Sequence, residues 1–205
     1  MTEKIEDIAS THGVLFEGIS ATPSPLRTHS NASSTQPNTA QHYWLTRPGA
    51  LTDVLRQLGH FSLHIVYEGV QTACCEDAYL LNIEAHTPLW IRDVMLWVDK
   101  QPLIYAHSLT PLDATEDGSA WSALRFQGQS PLATLLYHDS AIQRLPFEWH
   151  QVQTPLSLQR TREDDKNGVP LWARHSCFMR ATQPLVVAET FLNAFWHHPK
   201  LAQLR

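Results

Sequence analysis

The sequence predicts an α+β fold in a single domain, and three observations carry that expectation. Residues 88–111 place two apolar runs around the polar Asp99-Lys100-Gln101-Pro102, the pattern of a β-hairpin. Period-two alternation recurs at 60–70, 144–153, 169–182 and 185–193, as it must where one face of a strand is buried. Leu51, Val54, Leu55 and Leu58 repeat at i, i+3, i+4, i+7 before Gly59, the stripe of an amphipathic helix with a glycine stop. At 205 residues and 43% hydrophobic, with seven Trp and seven Phe, the chain can bury one sizeable core.

Composition excludes several function classes. Net charge is -5, and the 15 Lys and Arg form no basic stripe, which argues against nucleic acid as a partner. No apolar run reaches membrane-spanning length, and the opening Met-Thr-Glu-Lys-Ile-Glu-Asp lacks the basic start and apolar middle of a signal peptide, so a cytoplasmic protein is expected. Three cysteines, two of them the vicinal Cys74 and Cys75, suit reduced thiols better than a disulfide framework.

Residues 1–19 have a weak pattern, compatible with a short helix or strand. Residues 20–41 are mostly Ser, Thr, Pro, Asn and Ala, which predicts a flexible stretch; residues 1–42 are therefore set apart from a domain over 43–205. The strand from His60 is expected to end near Glu68-Gly69. Within 71–87, Ala78-Tyr79-Leu80-Leu81-Asn82-Ile83 reads as a further short strand, with Cys74, Cys75, Glu76 and Asp77 as a connection. Trp121, Leu124 and Arg125 suggest a short helix stopped by Gly128. Ser130-Pro131-Leu132 opens another, with serine at the N-cap and proline at the first helical position. The polar residues 160–168, from Arg160 to Gly168, read as a solvated loop or hairpin tip.

Two charges interrupt apolar rows. Trp90, Arg92, Val94, Leu96 and Val98 share one strand face, so Arg92 points where its neighbours are apolar and needs an anion beside it, from the protein or from a ligand. Glu189 repeats the anomaly among Leu185, Val187 and Phe191. The two helix starts add backbone donors: with Gly49 and Ser130 as N-caps, Leu51 and Leu132 both fall at the second helical position, where an N–H has no intrahelical acceptor and can hold an anion. The alternative is that Arg92 and Glu189 pair with each other, or with Asp93 or Arg174, as structure only. His197-His198 lacks a third metal ligand at suitable spacing, and Cys177 alternates with Met179 as a packed thiol. There is no Gly-x-Ser-x-Gly elbow and no phosphate-cradling glycine loop, so no nucleotide cofactor or metal is expected.

Five segments together resemble the chorismate pyruvate-lyase family, which supplies 4-hydroxybenzoate for ubiquinone synthesis. They are Trp44-Leu45 with Leu51-Thr52, Leu89-Trp90-Ile91-Arg92-Asp93-Val94, Gly128-Gln129-Ser130-Pro131-Leu132, Leu171-Trp172-Ala173-Arg174, and Pro184-Leu185 with Glu189-Thr190-Phe191-Leu192. The resemblance covers about residues 43–193 and implies an antiparallel sheet flanked by helices, with helical flaps over a buried ligand site. It implies chorismate as substrate, 4-hydroxybenzoate and pyruvate as products, no cofactor, and a monomer. It also implies that Arg92 and Glu189 are catalytic, and that both bind the aromatic product together with the backbone of Leu51 and Leu132. The chain departs from the family pattern at Trp172-Ala173-Arg174-His175-Ser176-Cys177, where an arginine-rich run is usual, at Asn193, where proline is usual, and at Tyr67, where a basic residue is common.

A non-catalytic effector-sensor domain is the rival class, because the ligand-binding domains of some bacterial transcription regulators look like the same fold. Such a sensor needs a DNA-binding helix pair, which the residues before Tyr43 are expected not to supply. A decayed relative that only holds an aromatic acid is a third reading.

Overall fold

Seven antiparallel strands form one sheet in the computed structural model, which describes residues 36–152 and 171–204. In chain order they are β1 (Phe61–Thr72), β2 (Pro88–Val98), β3 (Gln101–Pro111), β4 (Gln143–Arg144), β5 (Glu148–Val152), β6 (Leu171–Arg180) and β7 (Gln183–Phe191). They lie side by side as β1-β2-β3-β7-β6-β4, and β5 also pairs with β6. Among the described residues five short α-helices accompany them: α1 (Thr39–Thr46), α2 (Leu51–Leu58), α3 (Cys75–Leu81), α4 (Ala133–Leu136) and α5 (Asn193–Trp196). This is the α+β antiparallel architecture expected from the sequence. The readings for residues 1–35, and for the polar run 160–168, lie outside the described residues. Helix α1 begins before Tyr43, where Asn38 and Gln41 form a reciprocal capping box.

The central hairpin closes more tightly than expected. Asp99 and Lys100 both have positive φ (49° and 68°) and make a two-residue turn, so β3 already begins at Gln101. Ala181 and Thr182 (φ 47° and 69°) do the same between β6 and β7. The strand expected over 144–153 is broken at 145–147, around Pro146, into β4 and β5, because proline cannot donate to the ladder.

Two other expectations are corrected. Residues 78–83 are not a strand. Helix α3 occupies Cys75–Leu81, capped by Cys74, whose Sγ accepts from the Asp77 N–H while the Asp77 carboxylate accepts from the Cys74 N–H. Strand β1 does not end at Glu68-Gly69 but runs on to Thr72. Its register with β2 slips between Ile65 and Tyr67, leaving Val66 as a bulge. Beyond the bulge the alternation is inverted, so Glu68 comes opposite Arg92 and Tyr67 opposite Asp93.

Both faces of the sheet are covered. Trp44 and Leu45 of α1 and Val54, Leu55 and Leu58 of α2 pack with Val94, Leu96 and Val98, the even-numbered face of β2. Leu55 and Leu58 are fully buried, each contributing about 1.5–3 kcal/mol by removal from water. Trp121, Leu124 and Leu136, from the segment between β3 and β4, close over Trp90, Phe178 and Leu185. On the opposite face α3 sets Ala78 and Leu81 on Leu89, Ile91 and Leu109. A helix therefore covers each side of β2, which is why both of its faces are apolar. Among the described residues no helix is long and apolar enough to cross a membrane.

Candidate active site

The even-numbered face of β2 and the facing residues of β3 and β7 form the floor of a cavity of ≈ 70 Å³, roofed by the start of α2 and by residues 131–137. Arg92, Glu189, Leu51 and Leu132 all line it. Its walls are otherwise largely apolar, with Val94, Leu96, Leu136 and Phe178 among them. The ladder fixes the spacing of the two charges. Arg92 stands in one cross-strand row with Ser108 and Val187, and Glu189 stands with Ala106 and Val94 in the row two residues further on. Two strands across and two residues along put their backbones ~12 Å apart, leaving room between the side chains for one planar ring.

Arg92 is 1% exposed. Its Nη1 donates to Glu68 Oε2 at 2.6 Å, and its Nη2 donates to the carbonyls of Gly128 at 2.5 Å and Ser130 at 3.3 Å. The bulge in β1 thus delivers the counter-ion, and the arginine in turn pins the 128–130 loop that leads into the roof. Burial pulls the guanidinium pKa down, and the adjacent Glu68 carboxylate pushes it back up. Among the described residues the Nε–H and one Nη1–H have no protein acceptor, so the guanidinium keeps a donor for an anion.

Glu189 is held from the other side. Arg174 on β6 lies directly opposite it in the ladder, and its Nε donates to Glu189 Oε2 at 2.7 Å. Arg174 also donates from Nη1 to the carbonyls of Trp44 and Arg47, both at 3.0 Å, which ties the C-terminal end of α1 to the sheet. Its guanidinium lies over the Phe147 ring at 4.1 Å. The carboxylate is therefore oriented by an arginine that is itself fixed at three points. Of the pairings open from the sequence, Arg174 with Glu189 is the one found. Arg92 and Glu189 do not pair, and Asp93 turns to the opposite face to meet His107 Nδ1 at 2.6 Å.

The helix starts are displaced from expectation, by one residue at α2 and by two at α4. Ala50 is the N-cap of α2, so Leu51 is its first residue, with an N–H that has no intrahelical acceptor. Leu132, not Ser130, is the N-cap of α4, and its carbonyl accepts from Leu135 and Leu136, both at 2.9 Å. Beside Leu51, the Thr52 hydroxyl is buried without a hydrogen-bond partner and lines the same cavity. A buried orphan hydroxyl is costly, and a polar ligand would satisfy it.

Sequence reasoning missed Glu68, Thr52, Tyr137 and Phe147. Glu68 is hidden by the bulge; Phe147 belongs to the alternating run 144–153 but falls in the break between β4 and β5, and Tyr137 stands at the C-terminal cap of α4. Thr52 carried a signal, being a hydroxyl on the buried stripe of α2. The side candidates stay apart from the cavity. His197 Nδ1 lies 2.8 Å from the Asn193 carbonyl, and burial pushes the Cys177 thiol up to about 11. Among the described residues no three His, Cys, Asp or Glu side chains are arranged to hold a metal.

One antiparallel sheet closing a small apolar cavity, with an arginine and an oriented carboxylate in its walls, defines an α+β protein suited to a small carboxylate-bearing molecule. The family is fixed by sequence: residues 27–200 match the model of the chorismate lyase family, and the chain belongs to it. Among its relatives, the probable chorismate pyruvate-lyase of Bordetella avium is 40% identical over 164 residues, covering 80% of this chain and 82% of that one. That of Bordetella pertussis is 42% identical over 158 residues, 75% of this chain and 82% of the relative. The probable chorismate pyruvate-lyase of Nitrosomonas europaea is 30% identical over 156 residues, covering 75% and 86%. Among solved structures, the C-terminal domain of the histidine utilization repressor from Pseudomonas syringae pv. tomato is similar in fold, with TM-score 0.50 over 66% of this chain and 93% of that domain, at 12% identity.

Proposed function

We propose that the chain removes the enolpyruvyl side chain of chorismate as pyruvate and leaves 4-hydroxybenzoate, the entry step to ubiquinone biosynthesis. The observation that carries this reading is the meeting of Arg92, Glu189 and the Leu51 and Leu132 helix starts around one apolar cavity. Family membership and the names of the relatives support the same reaction.

Arg92 binds the ring carboxylate by a charge-assisted hydrogen bond from an N–H that the protein leaves open, and the Leu51 and Leu132 N–H groups complete the anion site. Glu189, steadied by Arg174, accepts the hydrogen bond of the ring hydroxyl. Chemistry then needs a ring C–H to lose its proton while the adjacent ether C–O bond breaks. The C–H electron pair completes the aromatic ring, and the ether electrons leave with enolpyruvate, which takes up a proton on its methylene carbon to become pyruvate. Aromatisation supplies the driving force, and the protein supplies alignment and a dry site.

Incubating the purified protein with chorismate and following the appearance of 4-hydroxybenzoate tests the reading directly. Turnover is expected. Binding of 4-hydroxybenzoate with no turnover of chorismate would leave a ligand-binding protein instead. The likeness to the repressor domain concerns the fold and does not favour that alternative.

A further inference from the structure

Chorismate carries two carboxylates, one on the ring and one on the enolpyruvyl side chain, whereas 4-hydroxybenzoate keeps only the first. Arg92 with the two helix starts accounts for the ring carboxylate. The site as built so far has no partner for the second, and Arg174 is engaged by Glu189 and two backbone carbonyls.

A second cationic group stands near the Glu189 side of the cavity. Phe147 and Tyr137 both line it. The Phe147 ring carries two guanidinium groups, Arg174 at 4.1 Å from its centroid and Arg144 at 4.5 Å. Arg144, on the short β4, thereby shares one ring with the arginine that holds Glu189. Its Nη1 donates to the Tyr137 hydroxyl at 3.0 Å, and it lies within ion-pair distance of no carboxylate among the described residues. Tyr137 is 40% exposed and Arg144 is partly buried, so the pair marks the rim of the cavity rather than its floor.

The hydrogen bond has a direction that matters. Because the Tyr137 oxygen accepts from Arg144, its own O–H is left to donate. An oxygen that accepts from a guanidinium is polarised into a stronger donor. Burial, with a smaller push from the Glu189 charge, holds the phenol above its usual pKa although Arg144 and Arg174 pull it the other way, so the O–H keeps its proton in neutral solution. A cation with no carboxylate partner among the described residues, backing a phenol donor, is a device for recognising an anion.

We propose that Tyr137, backed by Arg144, binds the carboxylate of the enolpyruvyl side chain and so distinguishes the dianionic substrate from the monoanionic product. The assignment rests on the chorismate reading above. Placing the departing group at the rim puts the bond to be broken between Glu189 and the outside, and lets pyruvate leave first while the ring acid is still held by Arg92. Tyr137 and Arg144 are positioning residues here; neither takes part in the bond changes.

The test compares two ligands in the full chain. Tyr137→Phe keeps the ring against Phe178 and removes only the donor; Arg144→Gln removes the charge, and Arg144→Lys restores it. KM and kcat are measured with chorismate, and Kd with 4-hydroxybenzoate by calorimetry. The expected result is a roughly tenfold or larger rise in KM for Tyr137→Phe and Arg144→Gln, recovered in part by Arg144→Lys, with Kd for 4-hydroxybenzoate within about twofold of the unsubstituted protein. Equal weakening for both ligands would show a merely structural role, and no change in either would show no role; each overturns the assignment. Absence of chorismate turnover in the unsubstituted protein is a separate outcome, which removes the parent reading and this assignment with it.

Discussion

Glu68 and Arg92 face each other across β1 and β2 because Val66 is bulged out of the ladder between Ile65 and Tyr67. Without that extra residue the acid would turn to the other face of the sheet, and a buried guanidinium would lose its counter-ion. At Gly69, next along, a Cβ would fall 2.9 Å from the Tyr67 hydroxyl oxygen, so a side chain there would have to move the end of that tyrosine. The local irregularity therefore serves the site.

Glu68→Gln should lower folding stability by about 1–3 kcal/mol, since it leaves the Arg92 charge without its paired anion while Glu68 itself is 28% exposed. If the ligand's carboxylate docks on Arg92, 4-hydroxybenzoate then supplies the missing charge. Thermal melts with and without saturating ligand should show a larger ligand-induced rise in Tm for the variant than for the parent. An equal rise in both would mean that the ligand does not meet Arg92.

Arg92→Ala should reduce kcat/KM for chorismate at least roughly 30-fold, about 2 kcal/mol of transition-state stabilisation, because a charged hydrogen bond in a buried site is lost. Steady-state kinetics on a variant whose circular dichroism matches the parent makes the comparison. Full activity would remove the arginine from the account.

Arg174→Met keeps bulk over Phe147 but strands Glu189, which is 16% exposed, along with the Trp44 and Arg47 carbonyls. A loss of about 3 kcal/mol in stability is expected, as for removing one partner of a buried pair. The double variant with Glu189→Gln should recover at least about 1 kcal/mol relative to the sum of the single losses, since the two residues are in contact. Urea unfolding of all four proteins completes the cycle, and strict additivity would mean that the pair is not coupled.

Both charged anomalies were legible in the sequence for one reason: each breaks an apolar period-two row on a strand that is regular from end to end. Arg174 was equally readable as a partner, being on the adjacent strand of the same hairpin. Glu68 was not, because the bulge inverts the alternation just before it, and a reading that assumes strict period two ends the strand there. The sequence suggests a strand over residues 78–83 and a connection over 74–77, where helix α3 lies, because a cysteine is not a usual N-cap and Leu80-Leu81-Asn82-Ile83 suits either element at that length. Tyr137 caps α4 and Phe147 falls in the break beside Pro146, so only the fold brings these two to the cavity and Arg144 to its rim.

Stability should fall with acid in a defined window. Burial lowers the pKa of His175 from 6.5 to about 4, and that of His150 to about 4 with the nearby His175 adding to the effect. Both histidines bind protons more weakly when folded, so their contribution is complete above about pH 6.5 and is lost as pH falls toward 4. Burial raises the Glu148 carboxyl in the opposite sense, which offsets part of the loss at the acid end of that window. Urea midpoints should drop between pH 7 and 5, and His175→Gln should flatten the slope. A midpoint independent of pH over that range would contradict the assignment.

One aromatic acid is expected to be held between Arg92 and Glu189. A crystal structure of the chain with 4-hydroxybenzoate measures this most directly. The expected result is a ligand carboxylate within roughly 2.6–3.2 Å of the Arg92 guanidinium and a ring hydroxyl at a similar distance from the Glu189 carboxylate. A ligand bound outside the cavity, or inside it with its carboxylate turned away from Arg92, would contradict the account.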